Sequence, residues 1–415
     1  MNIKIQNSKF KIQNSKLAIT GSKSETNRLL LLQALYPNIT LENTSNSDDS
    51  EVMTKALQTN KQQATSNNQI DIHHAGTAMR FLTAYFAQKE GSEVVLTGSS
   101  RMQERPIEIL VDALKQLGAN IEYVNNYGFP PISIWGKKIT KNKVNLSANI
   151  SSQYISALLL VAPKLENGLE LTLEGEITSI PYIKMTLALL NEIGVETSFI
   201  ENKISVSPKF VIRNFKFVIE SDWSSASYFY SIIALSEIGT QITLSSYKKN
   251  SLQGDSALVE IYKDFGVDTI FNSNKTISIS KTNQHNLQLT TYNLNNAPDI
   301  AQTIAVTCFG LGVACHLTGL HTLKIKETDR LEALKTELTK LGAQISVTND
   351  SLTLDPSSKI NSDIKIATYQ DHRMAMAFAP LAVKTNIIIE DAEVVSKSFP
   401  SFWSDLKSIG FQIME

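Results

Sequence analysis

One arrangement of residues recurs along the chain and restricts the folds open to it. An amphipathic helical stretch ends near a glycine and is followed by a short strand, a polar turn and a second strand. Leu110–Val124, Leu187–Ile200, Ala257–Phe271 and Leu331–Val347 share this order, and a shorter copy occupies Phe402–Met414. Gly118, Gly194, Gly266 and Gly342 fall where a left-handed residue ends a helix without a Cβ penalty. Their spacing is roughly 70 residues, and Val52–Ile72 is a weaker relative of the same unit. About six such βαβ-rich units in 415 residues predict an α/β fold of two pseudo-symmetric lobes with three units each, the chain crossing between lobes only a few times. The duplicated KIQNSK at Lys4–Lys9 and Lys11–Lys16 predicts two short strands with a turn between them.

Charge and patterning exclude several classes of function. Thirty-nine basic residues oppose 40 acidic ones, so no global field draws the protein to nucleic acid or to an acidic membrane, and anion binding must come from local clusters. The longest apolar stretch, Thr303–Cys315, is broken by Gly310 and Gly312 and falls short of the ~20 residues that cross a bilayer, so it reads as a buried segment. The start, MNIKIQNSKF, resembles neither a secretory signal nor a transit peptide, and a cytoplasmic location is expected. Cys308 and Cys315 both lie in the apolar stretch and read as core residues rather than a disulfide framework. His73 and His74 are adjacent on an expected strand, where their side chains would face opposite ways, and no metal site and no cofactor are expected.

Seven segments place small, hydroxyl or charged residues at helix starts, where free N–H groups favour anions. Gly21–Arg28 (GSKSETNR) precedes an apolar helical run, with Lys23 and Arg28 adding charge; it lacks the spacing of a nucleotide-binding P-loop. His73–Phe81 (HHAGTAMRF) puts Gly76 where an anion could approach the backbone, with Arg80 as a ligand or as a brace for the loop. In Arg101–Pro106 (RMQERP) two guanidinium groups flank a Glu. Ser151–Tyr154 (SSQY) opens a helix with groups that either cap it or hold a phosphate ester. Lys326–Leu334 (KETDRLEAL) sets Lys326 and Arg330 one turn apart on an expected helix face, with Glu327 beside them. Asp371–Ala379 (DHRMAMAFA) and Asn296–Thr303 (NAPDIAQT, with Asp299) each precede helices too apolar to be exposed, and Lys397 lies near the start of the last unit. Each segment alone is equally a capped helix with solvated charges. Seven in a protein without net positive charge point to loops converging on a small polyanion.

Together the blocks GSKS..NR, AGTAMR, RM.ERP, SSQ, S.PY, D.SSASYF, PD.A.T, KETDRL, DHRMAMA and K.FP resemble the 5-enolpyruvylshikimate-3-phosphate synthase family, in the family's order from Gly21 almost to the last residue. The resemblance implies an inside-out α/β barrel fold in which each lobe holds three βαβαββ units. It implies residues 21–230 as one lobe and 1–20 with 231–415 as the other, junctions near Gly21 and Ser231, and an active site in the cleft between them. It implies transfer of the enolpyruvyl group of phosphoenolpyruvate to the 5-hydroxyl of shikimate 3-phosphate by a soluble monomer of the shikimate pathway, through a tetrahedral intermediate.

By the same resemblance, shikimate 3-phosphate is held by Lys23, Ser24, Arg28, Ser151, Ser152, Gln153, Ser179, Tyr182, Asp299 and Lys326. Phosphoenolpyruvate is held by Lys23, Gly76, Arg105, Gln153, Arg330, Arg373 and Lys397. Glu327 is the expected proton donor and acceptor at the vinyl carbon, Asp299 the base for the 5-hydroxyl, and Lys23 an aid to either transfer. His74, Phe81, Trp223 and Thr322 depart from the commonest family pattern. Two alternatives stay open at this point: the sister enzyme that uses UDP-N-acetylglucosamine, which usually carries a reactive Cys on a mobile loop, and a noncatalytic binding protein on the same repeats.

Overall fold

The structure, a computed structural model, describes residues 1–7, 15–59, 68–149, 151–283 and 289–415. Contacts divide the chain into a first unit, Ser22–Ile219, and a second, Met1–Gly21 with Glu220–Glu415. The helices of the first unit are α1 (Lys23–Leu35), α2 (Asp48–Thr59), α3 (Gly76–Gln88), α4 (Ser100–Gln103), α5 (Glu108–Gln116), α6 (Ser152–Val161) and α7 (Ile180–Glu192). Those of the second are α8 (Trp223–Leu235), α9 (Leu258–Asp264), α10 (Ala301–Leu311), α11 (Arg330–Lys340), α12 (His372–Phe378) and α13 (Phe402–Ser408). Ser231 lies in the middle of α8, a helix buried along nearly its whole length in the second unit, so the junction expected there falls instead after Ile219.

One plan builds the four-stranded sheets. Gln69–Asp71 runs parallel to Glu93–Thr97, which is antiparallel to Ile132–Trp135, itself antiparallel to Asn120–Tyr123. The parallel pair needs a crossover, and α3 supplies it. Lys143–Ser147, Leu169–Glu174, Lys203–Val206 and Thr197–Ile200 repeat the plan around α6. The second unit carries three further sheets of the same kind. The first unit's third sheet has two strands, Ile39–Glu42 and Phe215–Val218 in parallel, while Ser15–Leu17 pairs parallel with Gln241–Leu244 in the second unit. Each strand just ahead of a chain crossing therefore completes a sheet of the unit it is leaving.

Helix patterning separates an inner from an outer set. Residues along α3, α6, α8, α10 and α12 are buried almost without interruption, as expected of helices apolar on all sides. In the first unit α1, α3 and α6 contact one another; in the second α10 packs on both α8 and α12. The outer helices are two-sided: α5 buries Leu110, Val111, Ala113 and Leu114, and α11 buries Leu331, Ala333, Leu334 and Leu338. Each Leu side chain so buried contributes about 1.5–3 kcal/mol. The glycines that end these helices have positive φ, from 76° at Gly266 to 105° at Gly410. At Gly266 space is closed as well, since a Cβ would lie 2.1 Å from the Asn283 carbonyl oxygen. In each unit the all-apolar helices are thus buried, and strands such as Leu169–Glu174 and Ile277–Lys281 alternate buried with more exposed residues.

Local expectations fare unevenly. Cys308 and Cys315 are buried in α10 and the strand that follows it. His73 and His74 lie in a turn after Gln69–Asp71 rather than on a strand; His73 has φ 49°, and His74 Nδ1 is 2.8 Å from Ser99 Oγ. The KIQNSK copies do not pair with each other. Ile3–Ile5 lies between Ile387–Ile389 and Ile413–Met414, Ser15–Leu17 belongs to another sheet, and the expected turn falls outside the described residues. In Val52–Ile72, α2 is followed by residues outside the description, and Gln69–Asp71 opens the next sheet instead of closing a hairpin. Among the described residues no helix is long and apolar enough to cross a membrane.

Candidate active site

In the first unit the starts of four helices are tied together at one end. Ser22 caps α1, its hydroxyl accepting the Glu25 N–H at 3.4 Å, so Lys23 and Ser24 form the first turn. Arg28, one turn on, is buried: its Nε donates to Thr186 Oγ1 at 2.8 Å, and its terminal nitrogens donate to Ser156 Oγ at 2.9 Å, Ser24 O at 2.8 Å and Tyr182 O at 3.4 Å. It thereby joins α1, α6 and α7, and burial lowers its guanidinium to about 10. Phe81, a departure from the family pattern, lies under Arg28 with 5.5 Å from Cζ to ring centroid. Arg28 thus brackets the starts of these three helices.

The start of α3 has no side-chain cap, which leaves its first N–H groups available to an anion. Arg105 lies against it: a Cβ on Gly76 would be 2.7 and 3.0 Å from the two terminal nitrogens of Arg105, so only glycine permits the approach. Arg80 takes the bracing role, donating to Gly76 O at 2.9 Å and to Pro106 O at 3.4 Å, and so fixes the loop that carries Arg105. At α6 the Ser151 hydroxyl accepts the Gln153 N–H, while Gln153 Nε2 donates to Thr77 Oγ1 at 3.2 Å and links the starts of α6 and α3. Ser152 is buried in the first turn, and Ser179, left-handed at φ 54°, precedes α7 without a side-chain cap. Lys23 Nζ is 3.1 Å from Asp49 Oδ2, a carboxylate the motifs did not single out.

The second unit holds a denser cluster. Arg330, at the first position of α11, has a side chain 2% exposed and reaches three carboxylates. Its Nε donates to Asp371 Oδ2 at 2.7 Å, NH1 to Asp299 Oδ1 at 2.9 Å and NH2 to Glu327 Oε2 at 2.9 Å. The other oxygen of Glu327 accepts from Lys397 Nζ at 2.7 Å. Arg373 NH2 donates to Asp299 Oδ2 at 3.2 Å and to Ser224 Oγ at 3.3 Å. Asp371 is fully buried and also caps α12, accepting the Arg373 N–H at 2.9 Å.

Lys326 corrects an expectation. Asp329 caps α11 by accepting from Leu331 and Glu332 N–H, so the helix begins at Arg330 and Lys326 lies outside it rather than on a shared face. The two cations still meet at one carboxylate, Lys326 Nζ lying 3.5 Å from Asp299 Oδ1.

Electrostatics follow from this packing. Burial pushes the Asp299 carboxyl up, but Arg373, Lys326 and Arg330 outweigh it and hold it well below the usual range. Burial disfavours the Arg330 cation, yet Asp371, Glu327 and Asp299 raise it above an ordinary guanidinium. Behind Ser224, whose hydroxyl donates to Asp255, burial and then the nearby Asp299 push the Asp255 carboxyl up to about 6. No motif singles out Ser224 or Asp255: Ser224 falls within the block D.SSASYF, but no spacing connects Asp255 to it. Among the described residues no group of three or more His, Cys, Asp or Glu is placed to hold a metal ion.

Each unit therefore gathers helix starts and basic side chains at one end, suited to phosphate and carboxylate groups. Comparison with known proteins gives the family. The family model for EPSP synthase (3-phosphoshikimate 1-carboxyvinyltransferase) matches residues 40–406. A 3-phosphoshikimate 1-carboxyvinyltransferase of Bacteroides fragilis (strain YCH46) is 46% identical over 397 residues, covering 94% of each chain. One from Haemophilus influenzae is 35% identical over 418 residues, covering 94% of this chain and 95% of its own. Among solved structures, an EPSP synthase from Acinetobacter baumannii aligns over 100% of both chains with a TM-score of 0.79 at 21% identity. The enolpyruvyl transferase NikO from Streptomyces tendae aligns over 100% of this chain and 98% of its own, with a TM-score of 0.76 at 11% identity; at such identities these two speak to the fold alone. The extent of the family match and the identity to full-length relatives establish that this chain belongs to the EPSP synthase (3-phosphoshikimate 1-carboxyvinyltransferase) family.

Proposed function

We infer that the chain transfers the carboxyvinyl group of phosphoenolpyruvate to the 5-hydroxyl of shikimate 3-phosphate and releases phosphate, a step towards chorismate and the aromatic amino acids. The observation that carries this reading is the node around Glu327: a carboxylate held at both oxygens by Lys397 and Arg330, beside Asp299, in a chain of this family. Lys23, Gly76, Arg105, Gln153, Arg330, Arg373 and Lys397 take the phosphoenolpyruvate anion. Lys23, Ser24, Arg28, Ser151, Ser152, Gln153, Ser179, Tyr182, Asp299 and Lys326 take shikimate 3-phosphate, and Arg28 also joins the helices that carry several of them.

The chemistry follows from the groups present. The 5-hydroxyl oxygen attacks C2 of the enol as a proton is added to C3, giving a tetrahedral adduct; the new methyl then loses a proton as phosphate departs. Glu327 delivers and retrieves the carbon-bound proton, and Asp299 receives the hydroxyl proton. At rest three cations hold Asp299 in its ionised form, and ligand anions that draw them away strengthen it as a base. Lys23 aids either transfer as a point charge. Fixed cations facing the departing phosphate lower the barrier without reorganisation. We further propose that one chain is the acting unit and that it works in the cytoplasm; both sets of assigned residues lie in this chain, and no helix among those described could span a membrane.

Mixing the protein with both substrates tests the reading. Phosphate should appear only when both are present. A cooperatively folded protein that releases none would favour a binding role, and release with UDP-N-acetylglucosamine in place of shikimate 3-phosphate would favour the sister reaction.

A further inference from the structure

A polar clamp stands behind the second cluster, and the reaction assigned above does not use it. Trp223, fully buried at the start of α8, donates its indole N–H to Glu220 Oε1 at 2.8 Å. The same oxygen accepts the Lys248 N–H at 2.8 Å, and Glu220 Oε2 accepts from Ser251 Oγ at 2.6 Å. Gln253 closes the clamp: its Oε1 accepts the Trp223 N–H at 2.9 Å and its Nε2 donates to Ser221 O at 2.9 Å. Segment 248–253 is thereby locked against the first turn of α8. Two residues later comes Asp255, 1% exposed, at the Ser224 hydroxyl.

The direction of the hydrogen bonds gives this arrangement a consequence. Ser224 donates its single proton to Asp255, so its oxygen faces Arg373 with lone pairs only. Arg373 NH2 is then held between two acceptors, Ser224 Oγ and Asp299 Oδ2. We propose that Asp255 is a positioning residue for Arg373, acting through Ser224, and that the Trp223 clamp exists to deliver it. Without the carboxylate, the Ser224 hydroxyl is free to turn its proton towards the guanidinium and release that edge. The proposal rests on the assignment of Arg373 to phosphoenolpyruvate.

Among the groups facing the Asp255 carboxyl, Asp299 and Asp222 push it up, and Arg373 and the Ser224 hydroxyl pull it down, the balance with burial lying at about 6. As pH falls through that value, Asp255 gains a proton and its hold on Ser224 weakens, so KM for phosphoenolpyruvate should rise at the acid end.

Steady-state kinetics of Asp255→Asn and Ser224→Ala between about pH 5 and 8 test this. Each should raise KM for phosphoenolpyruvate about tenfold, with KM for shikimate 3-phosphate changed less than about twofold, as loss of one charge-assisted contact to a single ligand would do. The double variant should be no worse than the worse single one, and Asp255→Asn should lose the acid-side rise. Wild-type values for phosphoenolpyruvate in both variants, or equal losses for both substrates, would overturn the proposal. Should Asp255→Asn not fold, Ser224→Ala decides by the same values. A wild-type protein that turns over no substrate sinks the enzymatic reading instead; calorimetric binding of phosphoenolpyruvate to wild type and Ser224→Ala then decides, and equal affinities overturn the positioning role.

Discussion

Replacing Asp371 by Asn separates the two tasks of one buried carboxylate. Asn caps a helix about as well as Asp, so the start of α12 should survive. The charge facing Arg330 is lost, and with it the contact at 2.7 Å to Nε, while the oxygen that caps α12 keeps its weaker 3.4 Å contact to NH2. Breaking a buried ion pair outright costs about 3–5 kcal/mol, but Arg330 keeps Asp299 and Glu327 at 2.9 Å, so its charge is not abandoned. The lower bound is the loss of a charge-assisted hydrogen bond, about 1.5–3 kcal/mol. The expected cost is therefore about 2–3 kcal/mol, which for a folding unit of this size lowers the melting temperature by roughly 4–12 °C. Asp371→Ala loses the cap as well and should cost about 1 kcal/mol more. Calorimetric melting of the whole chain measures both. Melting of Asp371→Asn within about 1 °C of wild type, or below Asp371→Ala, would refute the claim that the charge rather than the cap holds Arg330.

Glu327→Gln should fold normally and bind both substrates in a calorimeter, yet lose most turnover; unchanged turnover removes Glu327 from proton transfer. Gly76→Ala places a methyl 2.7 Å from an Arg105 nitrogen, and because a flexible side-chain end yields before the backbone does, the fold should persist. KM for phosphoenolpyruvate should rise about tenfold by loss of one guanidinium contact, and equal weakening of both substrates would show Arg105 to be misassigned. Asp255 makes a stability prediction as well. Its folded carboxyl titrates at about 6 against an ordinary 3.8, so the folded state holds the proton more tightly and wild-type stability falls as pH rises between those values. Melting curves should show Asp255→Asn gaining on wild type by up to about 3 kcal/mol from pH 4 to pH 7, and a constant difference would refute the shift.

Features carried by local rules were legible in the sequence. Helix-ending glycines, alternating strands and all-apolar helices depend on backbone sterics and burial, and these give α5, α11 and the inner α3, α6 and α12 directly. Contacts that depend on where separate segments meet were not. Asp49 opposite Lys23 and Asp255 behind Ser224 have no sequence spacing that connects them. Lys326 misled because a four-residue spacing implies a shared helix face only if the helix has begun, and Asp329 begins it later. Arg28 shows a second task that no motif reveals: beyond its place in an anion-binding motif, it joins three helices. The departures Phe81 and Trp223 acquire roles only in three dimensions, one under Arg28 and the other anchoring segment 248–253.

Charge balance at the second cluster ties stability to reactivity. Lys326, Arg330, Arg373 and Lys397 without counter-charges would repel one another, and the largely buried ones could not be relieved by solvent. Asp371, Asp299 and Glu327 prevent this but are not equivalent. Asp371 has 0% side-chain exposure and caps a helix, so it cannot leave its partner when a ligand arrives. Asp299 and Glu327 are 23% and 15% exposed, each shared between cations. An incoming phosphate or carboxylate that takes over those cations changes the surroundings of these two acids and leaves Asp371 as it was. On the roles proposed for them, the carboxylates that balance this cluster are thus also the ones that ligand binding would convert into acid and base, while the buried one keeps Arg330 in place.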